Sequence, residues 1–461
     1  MNNRKRAPLC ASAAVLFLGG CAVGPSYRRP AVELPQNWKA APLAEAARPA
    51  STALWWRNFR DPELTSLVEG ALKQNLDVKL AEARLRQARA ARGVAAGGFW
   101  PSLTASGSAL RGANGGAASA NTFQAGLDAV WELDFFGGVR RNVESANAAA
   151  EAAEADLGDV QVTLAAEVAL DYLQVRSAQD QIAIARENLA AQQHTVGLVR
   201  QRLKVGFSSA LDAANAEAQA ATTASAIPPL ETSLQQAMHA LSVLMGRPPA
   251  DLVGELSQPA AVPPIPPGIP TGLPSDLLRR RPDIRSAEAQ LHAATARIGV
   301  AVADFFPQFP LTAIVGYQSN VLRTLVETPN RSWSAGPGVQ WPIFQGGAIA
   351  ANVRVQEALR DQAFLTYRKT VLVALQEVED ALVAIENEEK HATALAEAVD
   401  QNRRSLDLST RLYTQGEADF LSVLVAEGSL YSSQTALAQS HQAGSANIIA
   451  LYKALGGGWG E

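Results

Sequence analysis

Residues 164–206 read LAAEVALDYLQVRSAQDQIAIARENLAAQQHTVGLVRQRLKVG, and this stretch decides the fold. Its apolar residues recur at every seventh position: Val168, Val175, Ile182, Leu189, Val196 and Leu203. A seven-residue spacing held this long is typical of helices that pack side by side in a coiled-coil seam. The stretch ends at Gly206, and glycine readily adopts the left-handed conformation that terminates a helix. The pattern therefore predicts a long helix followed by a tight turn.

The companion seam positions are small or polar. They are Leu164, Asp171, Ala178, Ala185, Gln192 and Val199. Such residues suit a wide ring of helices, in which each helix contacts two neighbours and one face is wet, better than a two-stranded zipper. A helix over residues 142–204 would be about 93 Å long, more than one compact domain requires. The alternative is a solvent-exposed coiled-coil stalk, a structural lipoprotein without a pore.

The second half of the chain repeats the first. The seven-residue spacing returns at Val371, Val378, Ile385, Ala392, Val399, Leu406 and Tyr413. Gly416 then corresponds to Gly206, and Glu427 corresponds to Glu217. We therefore predict two repeats, over residues 61–256 and 274–457, joined by a proline-rich linker over residues 257–273. Each repeat is expected to contain a helix, two strands, a long helix, a tip hairpin near residue 206 or 416, and a returning helix.

Four segments alternate between apolar and other side chains in the manner of β-strands. They lie at about residues 100–112, 121–134, 308–322 and 332–345. Strands of this length with one apolar face and interfacial aromatic residues are what a membrane barrel needs. Four strands cannot close a barrel, and lipid does not tolerate open sheet edges, so the chain is expected to oligomerise. Two chains would give a filled barrel and three would leave a lumen, which favours a trimer. The predicted class is an α+β membrane protein.

The N-terminus has the pattern of an export signal over residues 1–20, with Arg4-Lys5-Arg6 before a short apolar stretch. Leu18-Gly19-Gly20-Cys21 resembles a bacterial lipobox, in which Cys21 would carry an S-diacylglycerol group and an N-acyl chain such as palmitate. The alternative is an ordinary signal peptide with an incidental cysteine. The next residue, Ala22, favours the outer membrane. Residues 21–60 are expected to form an extended, lipid-anchored tether.

Composition and motifs argue against several classes of function. The 40 Lys and Arg against 44 Asp and Glu include no basic block, so nucleic acid is not an expected partner. The five histidines have no metal-ligand spacing, and no nucleophile elbow or phosphate loop is present. We therefore expect no catalytic residue, no metal and no cofactor, and predict that the protein is not an enzyme.

Three motifs carry a resemblance to a known family. They are Trp55-Trp56-Arg57-Asn58-Phe59-Arg60-Asp61-Pro62-Glu63-Leu64, Arg280-Arg281-Pro282-Asp283-Ile284-Arg285-Ser286-Ala287-Glu288 and Ala296-Arg297-Ile298-Gly299-Val300. With the tether start Cys21-Ala22-Val23-Gly24-Pro25, they resemble TolC-type outer membrane factors, in the lipoprotein (NodT) branch that serves resistance-nodulation-division (RND) efflux pumps.

The resemblance implies a homotrimer with a twelve-stranded barrel in outer-membrane lipid and a twelve-helix tunnel in the periplasm. The implied partners are a periplasmic adaptor (membrane fusion) protein and an inner-membrane RND pump. The implied function is a passive exit duct for drugs or other small solutes. A type I protein-secretion duct is the alternative within transport, and the lipobox argues against it.

Function is then expected to reside at the hairpin tips, next to the turns at Gly206 and Gly416. By resemblance, Asp212 matches a tip acid of the family, and Leu421 matches the apolar ring of its closed gate. Asp419, close to Leu421, is expected to belong to the same gate. Where many relatives carry a second acid, this chain has Val425, which favours an apolar constriction. Arg411 and Tyr413 resemble residues that tie neighbouring hairpins together. The alternative for Asp212 is an ordinary helix cap.

Overall fold

The computed structural model describes residues 22–39, 53–113, 119–264, 266 and 274–459. The predicted signal peptide, Cys21 and much of the proline-rich linker lie outside these residues. The α-helices are α1 Pro62–Gln74, α2 Leu76–Gly97, α3 Gly138–Lys204, α4 Ala210–Leu244, α5 Val253–Leu256, α6 Leu277–Arg280, α7 Pro282–Ala303, α8 Ala348–Gln415 and α9 Phe420–Ala454. The strands are β1 Ser102–Gly112, β2 Ala120–Glu132, β3 Pro310–Ser319 and β4 Arg331–Pro337. The fold is thus α+β and mostly helical.

Two long helices dominate the chain. α3 has 67 residues and α8 has 68, and each is followed by a tight turn and a returning helix of 35 residues. None of the helices among the described residues combines the length and the apolar character needed to cross a bilayer. The contacts divide the chain into two units. One comprises residues 22–32, 83–154 and 285–369, and the other comprises the remaining described residues.

The first unit contains a four-stranded antiparallel sheet in the order β1-β2-β3-β4. Ser102 lies opposite Val130, and Leu311 lies opposite Pro337. The last strand is shorter than the sequence pattern over residues 332–345 predicts. It ends at Pro337, and beyond it a single bridge joins Gln308 to Gln340. Proline has no N–H to donate to a ladder, so the regular strand ends at Pro337, although Gly338 and Gln340 still form antiparallel hydrogen bonds with Pro310 and Gln308.

The same unit contains the segment that follows the predicted lipid anchor. The Arg141 guanidinium donates to the Val23 carbonyl oxygen at 3.1 Å. The Tyr27 ring stacks on His292, with the ring centroids 4.4 Å apart, and the Tyr27 hydroxyl donates to Glu288 at 3.2 Å. Residues 22–29 are therefore bound to α3 and α7 by specific contacts.

The second unit holds a core built on the seven-residue spacing of α3. Val168 and Val175 are fully buried, together with the ring of Tyr172. Arg176 is buried among them and forms an ion pair with Glu63. Its guanidinium also donates to a side-chain oxygen and to a backbone carbonyl of the same unit. These partners offset part of the cost of burying the charge, and the Arg176 Nε atom has no hydrogen-bond partner among the described residues.

The structure corrects the expected extent of the tether. Trp55–Phe59 is a turn of 3₁₀-helix, and Trp55, Trp56 and Phe59 are buried in the core of the second unit. Trp55 stacks on Tyr452, with the ring centroids 5.2 Å apart. Burial of a large aromatic side chain contributes on the order of 2 kcal/mol or more, which favours packing over an extended chain. The tether therefore ends before Trp55.

A substitution at Gly24 would test whether residues 22–29 are held by their contacts with α3 and α7. Its φ is +85°, and a Cβ there would lie 2.5 Å from the Gly299 Cα atom. We predict that Gly24→Ala releases residues 22–29, because the clash and backbone strain cost about 1–3 kcal/mol. Trypsin should then cleave after Arg28 at least about tenfold faster, as followed by mass spectrometry. Gly93→Ala is the matched control, since a Cβ at Gly93 meets no atom within 4 Å. Cleavage of Gly24→Ala at the wild-type rate would contradict the prediction.

Candidate functional site

The two hairpin turns that follow the long helices are built alike. Gly206 and Gly416 have φ values of +80° and +81°, which L side chains rarely adopt. One residue later, the Phe207 N–H donates to the Arg202 carbonyl at 2.8 Å, and the Glu417 N–H donates to the Leu412 carbonyl at 2.9 Å. These bonds satisfy carbonyl groups at the end of each helix and reverse the chain within a few residues. The turns thereby fix where the next helices, α4 and α9, begin.

Both acidic residues of the predicted gate cap these returning helices. Ser209 and Asp212 form a reciprocal cap on α4: the Asp212 N–H donates to Ser209 Oγ at 3.0 Å, and the Ser209 N–H donates to Asp212 Oδ2 at 2.9 Å. Asp419 caps α9 and accepts from the Ser422 N–H at 3.2 Å. The Ser209 N–H, with the Ser208 hydroxyl, lowers the pKa of Asp212. The capping alternative thus describes the local role of Asp212.

Tyr413 lies between the two hairpins. Its hydroxyl and Ser208 Oγ share a hydrogen bond of 3.2 Å, and Ser208 in turn donates to Asp212 at 2.9 Å. The Arg202 guanidinium lies over the Tyr413 ring, 4.7 Å from its centroid. Arg202 also donates to the Thr414 carbonyl at 3.1 Å. These contacts tie the first hairpin to the second.

Arg411 forms an ion pair within its own helix, and its predicted tie to a neighbouring hairpin stays a prediction. Arg411 pairs with Asp407, one turn earlier on α8, at 2.7 Å, and its side chain is 68% exposed. Within the described chain, the arginine that reaches across the hairpins is therefore Arg202, which the sequence analysis missed. The signal was its position in the last turn of α3, where a basic side chain can interact with the final carbonyl groups of a helix.

A cluster of apolar residues packs next to Tyr413. Phe420 is 2% exposed and lies against Tyr413, with ring centroids 5.5 Å apart. The other buried members of this cluster are Val199, Ala213, Ala216 and Val423. The cluster fixes the rotation of α9 about its axis, because Phe420 and Val423 must face inward.

Leu421 and Val425 lie on another face of the same helix. They are 58% and 59% exposed, although both are apolar. Residues four apart on a helix are neighbours on its surface, so the two side chains form one exposed apolar patch. The structure thus separates the predicted site. The acids cap helices, Tyr413 is buried in the tie, and Leu421 and Val425 project from the chain.

Among the described residues, no cluster of three or more His, Cys, Asp or Glu side chains is arranged to hold a metal ion.

Comparisons with known proteins identify relatives over nearly the full length. The family profile described as "Outer membrane efflux protein" matches residues 67–247 and 273–457. "Nodulation protein T" of Rhizobium leguminosarum bv. trifolii is 32% identical, over 96% of this chain and 96% of its own. "Pyoverdine export outer membrane protein OpmQ" of Pseudomonas aeruginosa is 35% identical, over 97% of this chain and 96% of its own.

A solved structure is similar as well. The chain in "Structural insights of the outer-membrane channel OprN" is 37% identical, with a TM-score of 0.90. The similarity covers 95% of this chain and all of that one. The structure therefore has the fold of a known outer-membrane channel along almost its whole length.

The contacts of Arg202 with Tyr413 and Thr414 predict that substitution of Arg202 loosens the first hairpin turn. Arg202→Gln removes the guanidinium over Tyr413, a contact that contributes about 1 kcal/mol or more when desolvated. We predict that backbone amides of residues 205–209 then exchange hydrogen roughly tenfold faster, as measured by mass spectrometry. Arg411→Gln is the matched control and should leave that exchange unchanged. Equal effects of the two substitutions would show that Arg202 does not hold the hairpins together.

Proposed function

The chain belongs to the outer membrane efflux protein family, and from that membership we propose how its hairpins and sheet form a conducting assembly. The protein is an outer-membrane exit duct of a tripartite efflux pump. The function is to conduct solutes, so the side chains act by lining the passage, holding the hairpins together and closing the aperture. The two repeats over residues 61–256 and 274–457 supply equivalent parts to this passage, in keeping with the two segments that match the family profile.

Three copies of the chain form the duct. The supporting observation is that the sheet has two edges, β1 and β4, each paired on one side only among the described residues. Apolar sheet residues are also exposed in the single chain, including Leu103, Leu110 and Trp333. Open edges are not stable in lipid. Pairing of β4 with β1 of the next copy gives a closed twelve-stranded barrel with a lumen.

We assign the aperture of the duct to the hairpin tips. Phe207 and Val205 are exposed beside the first turn, and Leu421 and Val425 are exposed beside the second. We assign the second pair to the constriction, because a ring of identical apolar side chains closes a narrow aperture to ions by excluding water. The periplasmic adaptor contacts the tips and aligns the duct with the inner-membrane RND pump. The pump selects the solute, and the duct conducts it passively.

The N-terminus anchors the duct. Cys21 carries the diacylglycerol and acyl chains, and residues 22–29 connect them to the folded protein through their contacts with α3 and α7. Each buried methylene contributes about 0.8 kcal/mol, so several acyl chains hold the protein in the outer membrane firmly.

The observation that carries the gate assignment is the exposure of Leu421 and Val425 on a helix whose other face is fixed by Phe420. We predict that Leu421→Ser raises the single-channel conductance of the purified protein in planar bilayers, because a hydroxyl hydrates the constriction. Leu211→Ser, at the equivalent position of the first hairpin, is the matched control and should conduct like the wild type. Unchanged conductance of Leu421→Ser would remove Leu421 from the gate.

The lipid anchor has its own test. The wild-type protein should incorporate radiolabelled palmitate in growing cells, and Cys21→Ser should not, because the substitution removes the thiol that receives diacylglycerol. Incorporation of the label into Cys21→Ser at the wild-type level would rule out lipidation at Cys21.

A further inference from the structure

A line of polar side chains joins α3 to α9 in the second unit. The members on α3 recur every seven residues, at Gln174, Gln181, Asn188 and Thr195, and we call this line with its partners the polar ladder. Asn188 donates to Gln434 at 2.8 Å, and Thr195 Oγ1 donates to Glu427 Oε1 at 2.7 Å. Gln442 and Gln439 of α9 complete the other rungs. Every rung consists of amides and hydroxyls except the one nearest the tip.

That last rung contains a buried acid. Glu427 is 7% exposed, and among the described residues its carboxylate has one hydrogen-bond partner, the Thr195 hydroxyl. The corresponding acid of the first repeat, Glu217, is in a different setting. It pairs with Arg200 at 2.7 Å, and its side chain is 46% exposed. The acid of the second hairpin is therefore buried without the cation that its counterpart has.

The charged side chains on the neighbouring helices do not supply Glu427 with a cation. The titratable side chains of α3, α4 and α8 on the part of each helix towards the tip include His194, Arg200, Glu217, Arg403, Arg404 and Asp407. All six are solvent-exposed. Burial raises the pKa of Glu427, the Thr195 hydrogen bond partly opposes this, and no charged group contributes. The buried arrangement therefore favours the protonated carboxyl.

Protonation of Glu427 is coupled to its burial in the second hairpin. An ionised carboxylate in this site lacks the hydration it would have in water, whereas the protonated form does not incur that cost. A structure that buries Glu427 therefore takes up protons, and one that exposes it releases them. Because α9 carries Leu421 and Val425 two turns or less from Glu427, loosening this rung frees the part of α9 that forms the constriction.

We propose that Glu427 is a proton-dependent positioning residue of the gate, which holds α9 against α3 when protonated and releases it when ionised. The inference rests on the proposed function, since it requires that α9 line the aperture. Closure is favoured at low pH and opening increases as the pH rises above the ordinary glutamate range. The dependence of the opening equilibrium reaches at most about tenfold per pH unit for each titrating carboxyl.

The test is the open probability of single channels in planar bilayers between about pH 5 and about pH 8. The wild type should open more often as the pH rises. Glu427→Gln should remain closed at every pH, because glutamine resembles the protonated acid and retains an acceptor for Thr195. Glu217→Gln is the matched control and should keep the wild-type pH profile.

Any one of three results in the pH series would overturn the proposal, and a fourth is given below. The first three are a flat wild-type profile in a preparation whose Leu421→Ser variant conducts, a wild-type pH profile in Glu427→Gln, and a lost profile in Glu217→Gln. Silence of Leu421→Ser at every pH would instead overturn the proposed channel function, and this inference with it. A structural role for Glu427 without proton dependence would shift the open probability equally at all pH values, which also contradicts the proposal.

Discussion

The seven-residue spacing on the long helices is the constraint on which the rest of the second unit depends. It directs Val168 and Val175 into the main core of this unit, and the companion position Val199 into a separate buried cluster near the tip. The helix that carries all three residues continues to Lys204, next to the turn at Gly206. The cluster near the tip also contains Tyr413 and Phe420. Because Phe420 and Val423 are buried there, Leu421 and Val425 lie on another face of the same helix.

Local electrostatics explains why acidic residues stand at the start of both returning helices. Asp212 and Asp419 each begin a returning helix, where unpaired N–H groups and the helix dipole favour a carboxylate. Their oxygens accept hydrogen bonds from the chain itself, so these acids form the ends of the helices. Leu421 and Val425 are exposed apolar side chains on the helix that Asp419 caps. Helix capping and the exposed apolar patch therefore involve residues only a few positions apart in the second hairpin.

The sequence predicts what depends on periodicity and fails where tertiary contacts decide. The long helices follow from apolar spacing, and the turns follow from two glycines with positive φ. The end of β4 does not follow, because apolar alternation continues past Pro337 although the regular strand stops there. Trp55 and Trp56 lie in a proline- and alanine-rich region but have partners distant in sequence. For the same reason, the contacts of Arg202 with Tyr413 and the burial of Glu427 are established only by the folded chain.

The central claim is that the second hairpin lines the aperture of a conducting assembly. The most direct measurement is single-channel recording of Val425→Cys before and after a positively charged methanethiosulfonate reagent is added to the periplasmic side. A thiol in the constriction would place a fixed charge in the ion path. The account predicts that conductance changes in discrete steps, one for each modified subunit. Complete modification, verified by mass spectrometry, with no change in conductance would contradict it.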